Sequence, residues 1–349
     1  MSKRLIAFTH GDNDPSGRFR IAQYLPYLGQ AGWEVSLRPR RPSQPWNTPF
    51  RNPLLQFAYR RSGLFIRRIN RLRDIHNASA FDVVFLNRDL LEGKFQYEQR
   101  LFNKNPHVIF DFDDAIFLGH KEKHIGQICE KAAWVIAGNE YLASFARKYS
   151  SRVRVIPTVI DTSLYPLVSE ARPGKTQRIR LGWLGSAHSI EQTLFPYIAM
   201  FSALQYELGF EFNIVTHPRP VLPKHGLRWN YVEWSPAVET NLGNHMDIGI
   251  MPLVDNEFQR GKCGCKLLQY MSASLPFVAS PVGINTELTG HGARGLTAST
   301  PKEWTMAIRS LMSNAEQRLA MGQSGRAFVE EHYSVRRWFP ELLSIIERA

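Results

Sequence analysis

The feature that most constrains this chain is an alternation of short apolar runs with longer amphipathic stretches, which stops once and then resumes. Strand-like runs at 4–9, 34–37, 82–86, 107–111, 134–137 and 153–156 alternate with helical patterns near 19–29, 54–73, 89–102, 121–131 and 141–149. Parallel strands need crossover connections, so this alternation predicts a parallel sheet covered by helices on both faces. The pattern breaks at 165–176, YPLVSEARPGKT, where prolines, a glycine and mixed charge read as an interdomain linker. It resumes with runs at 179–184, 211–216, 227–234, 247–253 and 277–280 and helices at 190–206, 262–274, 301–313 and 315–331. Ser189 with Gln192, and Thr300 with Glu303, have the spacing of capping boxes. The expected class is α/β: two doubly wound, Rossmann-like domains facing across a cleft, over 1–168 and 177–334. A C-terminal helix within 335–349 is expected to pack back on the first. In such sheets ligands bind beyond the carboxyl ends of the strands.

Composition narrows the function. A chain of 349 residues that is 44% hydrophobic can bury two cores, and it holds no apolar run long enough to span a membrane. The start, Met-Ser-Lys-Arg and then a strand, is too short for a signal peptide. Three cysteines, Cys129, Cys263 and Cys265, form neither a disulfide framework nor a zinc spacing, and a reducing, cytoplasmic compartment is expected. No metal site is expected either, because the eleven histidines are scattered.

Charge is concentrated. Ten of the twelve net positive charges are arginines between Arg38 and Arg73, a stretch without one acidic residue. On a helical wheel Leu54, Ala58, Leu64, Phe65, Ile69 and Leu72 gather on one side, and Arg60, Arg67, Arg68 and Arg71 lie mostly on the other. A basic amphipathic helix suits an anionic membrane surface, here met through Arg60, Arg61, Arg67, Arg68 and Arg71. The alternative is a helix packed on the sheet with a solvated basic face. Nucleic acid is not expected, because aromatic interleaving is weak.

Four segments carry candidate chemistry. Within 255–271, DNEFQRGKCGCKLLQYM, Arg260, Lys262 and Lys266 surround Gly261 and Gly264 ahead of a helical pattern. Glycines admit close backbone approach, and a helix start favours an anion. Lys262 and Lys266 share a helix face that Gln269 continues, while Leu267, Leu268 and Met271 anchor the other side. The loop His10–Arg20 joins the first strand to the first helix, and His10, Gly11 and Arg18 are its candidate ligand contacts. Arg18 and Arg20 contact anions or are simply solvated. In LGWLGSAHS, Gly185 and Ser186 precede a helix and suit a diphosphate, whereas His188 reads as a loop histidine. In IFDFDDAI, four readings stand. Asp111 and Asp113 resemble the first motif of haloacid-dehalogenase-like phosphatases; an Asp-x-Asp pair suits Mg²⁺; Asp113 or Asp114 lines the cleft and orients or deprotonates a hydroxyl; or an aspartate caps a helix.

The stretch LQYMSASLPFVAS at 268–280, followed by Gly283 and Glu287, is similar to the helix-and-strand motif of glycosyltransferase family 4, the glycosyl transferases group 1. Met251-Pro252-Leu253, Gly185, Ala137-Gly138-Asn139 and Ile156-Pro157-Thr158 also fit, so the resemblance covers nearly the whole chain. It implies a GT-B fold and transfer of a sugar from a nucleotide-sugar donor to a hydroxyl acceptor, with retention and without a metal or other cofactor. The second domain would hold the donor through Gly185, Ser186, Arg260, Lys262, Gly264, Lys266, Leu267, Gln269 and Glu287. The first would present the acceptor at His10, Gly11 and Arg18, with Asp113 and Asp114 as catalytic groups. A glycan or lipid-linked acceptor in surface polysaccharide or glycolipid synthesis follows from the same resemblance. Two departures stand out. The family's paired glutamates fall on Gly261 and Gln269, and its basic pair after the second domain's first strand is missing, since 183–193 contains no Arg or Lys. A relocated phosphate clamp at Arg260, Lys262 and Lys266 is one consequence. A non-catalytic binding protein on the same fold is the rival reading.

Overall fold

The computed structural model describes residues 3–43, 49–91, 95–166, 178–223 and 226–349. The chain forms two compact units, Met1–Thr158 with Trp338–Ala349, and Val159–Arg337. Each is built on a six-stranded, all-parallel sheet.

In the first unit the strands are β1 (Lys3–Thr9), β2 (Trp33–Pro39), β3 (Val83–Asn87), β4 (Val108–Phe112), β5 (Trp134–Ala137) and β6 (Val153–Val155), in the order β2-β1-β3-β4-β5-β6. Every residue of β3 and β4 is buried, as continuous apolar runs covered on both faces require. The chain order reverses between β1 and β3, so the loops after β1, β3 and β4 gather at one end of the sheet. The last helix, Val335–Arg348, reaches this unit: Phe339 packs on Tyr27 with ring centroids 5.5 Å apart, and Glu347 pairs with Lys3 at 3.4 Å.

The second unit holds β7 (Arg180–Leu184), β8 (Glu211–Thr216), β9 (Asn230–Glu233), β10 (Ile248–Met251), β11 (Phe277–Ala279) and β12 (Leu296–Thr297), in the order β12-β11-β10-β7-β8-β9. Its reversal falls between β7 and β10. Residues 159–166, assigned to the first domain by sequence, pack with this unit. Ile160 bridges Ser334, and the buried Arg326 guanidinium donates to the carbonyls of Thr162, Tyr165 and Ser272. Most of the expected linker lies outside the described residues.

The arginine-rich helix corrects the helical-wheel expectation. It runs over Pro53–Asn77, capped by Asn52, whose side chain accepts from the N–H groups of Leu54 and Leu55. Its buried residues are Gly63, Arg67, Arg71 and Ile75, spaced four apart, and not the apolar stripe. Arg67 (4% exposed) donates to the carbonyls of Pro42 and Ser43, and Arg71 (2% exposed) to those of Arg38 and Thr9. Backbone carbonyls at and just beyond the ends of β1 and β2 attract a five-donor guanidinium, and these bonds outweigh the cost of turning the arginines inward. Arg67 and Arg71 therefore cannot meet a membrane, while Leu54, Leu55, Phe57, Phe65, Ile66 and Ile69 face outward.

Burial and the nearby Arg40 push the Arg71 guanidinium down to about 9. Loss of its two carbonyl contacts gives a direct test. Arg71→Ala is expected to cost about 3 kcal/mol, the scale for a buried charged donor removed from its acceptors, and Arg68→Ala less than about 0.5 kcal/mol. Chemical denaturation of the two variants reads the difference.

Candidate functional site

In the second unit the switch point is shaped by Tyr270. β7 and β10 pair only at Ile248 with Leu181 and Gly249 with Gly182. Beyond that the Tyr270 hydroxyl bridges the diverging strands, accepting from Leu184 N–H at 3.1 Å and donating to the Ile250 carbonyl at 3.1 Å. Gly249 makes room for it, since a Cβ there would lie 2.5 Å from the Tyr270 ring.

Tyr270 belongs to the helix Cys265–Ser272, which starts three residues later than the sequence pattern suggested. Gly264 precedes it with φ +68°, a left-handed conformation that glycine adopts without strain. A Cβ at Gly264 would meet Leu288 at 2.4 Å, and one at Gly283 would meet the Arg260 carbonyl oxygen at 2.7 Å. These close approaches fix the turn 260–264 against the segment that leads to Glu287.

The helix's first turn brings Lys266 to the loop after β7. Its Nζ lies 4.2 Å from the centroid of the Trp183 ring, and a Cβ at Gly185 would fall 2.9 Å from that nitrogen. Gly185 and Lys266, distant in sequence, thus share one spot at the sheet's switch point. Lys266 makes no ion pair among the described residues. Burial first, and then Lys262, push its ammonium down to about 7, because neither offers a compensating negative charge.

The neighbouring candidates are placed as follows. Lys262 Nζ lies 5.1 Å over the Phe258 ring. Arg260 forms a two-bond pair with Asp255, at 2.6 and 2.9 Å, on the surface. Ser186 caps the short helix Ala187–Thr193, its side chain accepting from Ser189 N–H at 3.2 Å, so the cap sits at Ser186 and not at Ser189. Leu267 is fully buried and Gln269 nearly so, with the Gln269 carbonyl oxygen 3.7 Å from the Cys265 sulfur. Glu287 is exposed and accepts from the Tyr333 hydroxyl at 3.4 Å. The His188 side chain lies outside the described residues.

In the first unit the switch-point end carries a connected charge network. Arg20 is buried and grips Asp111 through Nε and Nη2, at 3.1 and 2.5 Å, and donates to the Ile156 carbonyl. Asn87 donates to the same carboxylate at 2.9 Å. Asp113 accepts from Ser16 at 2.6 Å and from Arg88 at 2.8 Å, and Arg88 also reaches Asp114 at 2.6 Å. Arg88 holds an uncommon φ of +61° while its N–H donates to the Asp111 carbonyl. Gly17 lets the first helix approach β1, since a Cβ there would lie 2.9 Å from Thr9.

Burial alone would push the Asp113 carboxyl up, but Arg88, Arg20 and the Ser16 hydroxyl hold it below the usual carboxylate range. Burial pushes Asp111 up, with Arg20 opposing. A phosphatase nucleophile needs an accessible oxygen, and Asp111 is buried against Arg20 and Asn87, so that reading is dropped. Nor do the described residues hold a group of three or more His, Cys, Asp or Glu suited to a metal.

His10 joins a second cluster. Its Nε2 lies 2.9 Å from the Asp89 carbonyl and 3.0 Å from Arg40, and burial with Arg40 lowers its pKa, favouring the neutral ring. Gly11 is half-buried beside Ser43, and the Arg18 guanidinium lies 4.9 Å over Phe19. Sequence reasoning missed Arg88, Asn87 and Ser16. The polar Asn-Arg-Asp run that ends the apolar β3 was the available signal.

Residues 179–314 match the family model of glycosyl transferases group 1. The second unit thus matches the glycosyl transferases group 1, and the chain as a whole has the GT-B fold. No curated protein matches it in sequence. Among solved structures, a sucrose-phosphate synthase from Thermosynechococcus elongatus is 14% identical with a TM-score of 0.73, covering 99% of each chain. HepE from Anabaena, solved with UDP and glucose, is 13% identical with a TM-score of 0.68, over 99% of this chain and 100% of that one. WaaG, described as a glycosyltransferase of lipopolysaccharide biosynthesis, is 13% identical with a TM-score of 0.64, over 98% and 99%. At these identities the likeness establishes the fold of this chain and not its substrates.

The lowered Asp113 carboxyl makes the stability of the first unit pH-dependent. The stabilisation is present above the unfolded carboxylate's pKa and is lost as pH falls through the lower folded value. Asp113→Asn is therefore expected to be less stable than wild type at pH 6, with the gap closing below about pH 4. Urea titrations at the two pH values measure it.

Proposed function

We propose that the glycosyltransferase binds a nucleoside diphosphate sugar on its second unit, with the diphosphate held by Lys266 and Lys262 beside Gly185 and Ser186. The observation that carries this reading is Lys266, an ammonium without an ion pair among the described residues, set over Trp183 where Gly185 has no side chain. Charge builds on the leaving diphosphate as the glycosidic bond breaks, and fixed cations lower that barrier. Arg260, occupied by Asp255, serves this less directly. The solved Anabaena relative with UDP-glucose supports a uridine-type donor. Gln269 and Glu287 are the remaining donor-side candidates, Leu267 and Gly264 their framework. Gly261 stands where the family has a sugar-reading glutamate, so sugar selection falls to other groups.

A hydroxyl acceptor on a glycan or lipid-linked glycan is the partner proposed for the first unit, around His10, Gly11 and Arg18. Asp113, held ionised by Arg88, and Asp114, paired with the same guanidinium, orient that hydroxyl. The new bond joins the acceptor oxygen to the anomeric carbon, and the nucleoside diphosphate leaves. Retention of configuration, metal independence and a role in surface polysaccharide or glycolipid synthesis complete the proposal. A lipid-linked acceptor places the enzyme at the cytoplasmic face of an anionic membrane, where Arg60, Arg61 and Arg68 remain exposed. No described helix is long and apolar enough to cross that membrane.

Lys266→Ala is expected to weaken UDP binding at least tenfold by calorimetry, and the double variant with Lys262→Ala further. Unchanged affinity would remove the clamp from the reading. Since the free ammonium titrates at about 7 and an anion favours its charged form, UDP affinity should fall as pH rises above 7. Binding near pH 8 should take up a proton, read from calorimetric heats in buffers of different ionisation enthalpy. UDP binding without transfer or hydrolysis of any nucleotide sugar would favour a binding protein instead.

A further inference from the structure

The arginine-rich helix Pro53–Asn77 begins as a projecting rod. From residue 53 to 62 every residue is exposed except Gln56, which is half-buried. Seven of the fourteen large hydrophobic residues exposed among the described residues lie on this one helix, with Leu54 at 78% and Phe57 at 63%. Concentrated apolar surface of this kind marks a contact with something else. Packing inside the fold has already claimed Arg67 and Arg71, and only Gly63 and Ile75 join them in the buried stripe.

We infer that residues 54–69 of this helix lie in the interface of an anionic lipid surface, with Leu54, Leu55, Phe57, Phe65, Ile66 and Ile69 entering the acyl boundary and Arg60, Arg61 and Arg68 meeting the headgroups. Apolar residues drive this contact and the arginines set its preference for anionic lipid. It rests on the proposed lipid-linked acceptor for its purpose, though not for its occurrence. Charge decides between a membrane and a second copy of the chain. No acidic residue occurs between Arg38 and Arg73, so two copies joined on this face would bring arginines against arginines. Arg60, Arg61 and Arg68 make no ion pair among the described residues and stay available for phosphate headgroups. The Arg61 guanidinium lies 5.7 Å over the Phe57 ring, so cation and wedge sit together at one point of the helix. An interfacial helix joins these two chemistries in this way.

The test uses the full chain and sedimentation with vesicles of phosphatidylcholine alone or mixed with phosphatidylglycerol. Wild type is expected to partition at least tenfold more strongly onto the anionic vesicles. Leu55→Asp with Phe57→Asp changes only exposed side chains, so melting temperature and UDP affinity should hold while anionic partitioning falls at least tenfold, at low and at high salt. Arg60→Gln with Arg61→Gln and Arg68→Gln should erase the preference for anionic lipid and leave a residual, salt-insensitive partitioning. Absence of vesicle binding by wild type overturns the inference, as does an aspartate variant that partitions like wild type. A wild-type dimer made monomeric by the aspartate changes, without vesicle binding, assigns the face to a second copy and also overturns it. Loss of UDP binding in wild type would sink the donor proposal and leave this one standing.

Discussion

Buried guanidinium groups bonded to the ends of strands and helices hold both units in register. A parallel sheet leaves carbonyls and carboxylates at its carboxyl edge, where pairing stops and loops begin. Arg71 closes the edge of β1 and β2 through Thr9 and Arg38, and Arg20 closes that of β4 through Asp111. Arg326 does the same in the second unit, tying Thr162 and Tyr165 to the end of the helix that carries Lys266. Removing such a cation strands several acceptors at once, so each arginine fixes more backbone than its size suggests.

The same device accounts for the outward apolar face of the long helix. Its orientation is set by where Arg67 and Arg71 find carbonyls, not by where its leucines and phenylalanines would be driest. A wheel drawn from sequence weighs only transfer from water and has no means of knowing that backbone carbonyls at Thr9, Arg38, Pro42 and Ser43 offer acceptors. The helix was legible in its existence and nearly in its bounds, and illegible in its facing.

The rest of the sequence divides along similar lines. Strand positions were readable because parallel strands buried on both faces are continuous apolar runs, and β3 and β4 show nothing else. The turn at 260–264 was readable as a close backbone approach from Gly261 and Gly264. Its helix start was misjudged by three residues because the left-handed Gly264 delays it. Arg88 was not readable as a site at all, since its role depends on a backbone φ of +61° and on aspartates 25 and 26 residues later.

The two units place their charges in opposite ways, and chemistry follows from that. In the first, arginines and aspartates at the switch point pair with one another, and Arg88 with Ser16 holds Asp113 below the usual carboxylate range. In the second, Lys266 is surrounded by an aromatic ring, a glycine and another lysine, an arrangement that burial makes costly and that no described carboxylate relieves. A folded protein carries such an uncompensated cation only at a cost to its own stability. On the proposed donor reading, an arriving diphosphate would supply the missing negative charge and recover that cost as binding energy, most strongly as the leaving group's charge grows.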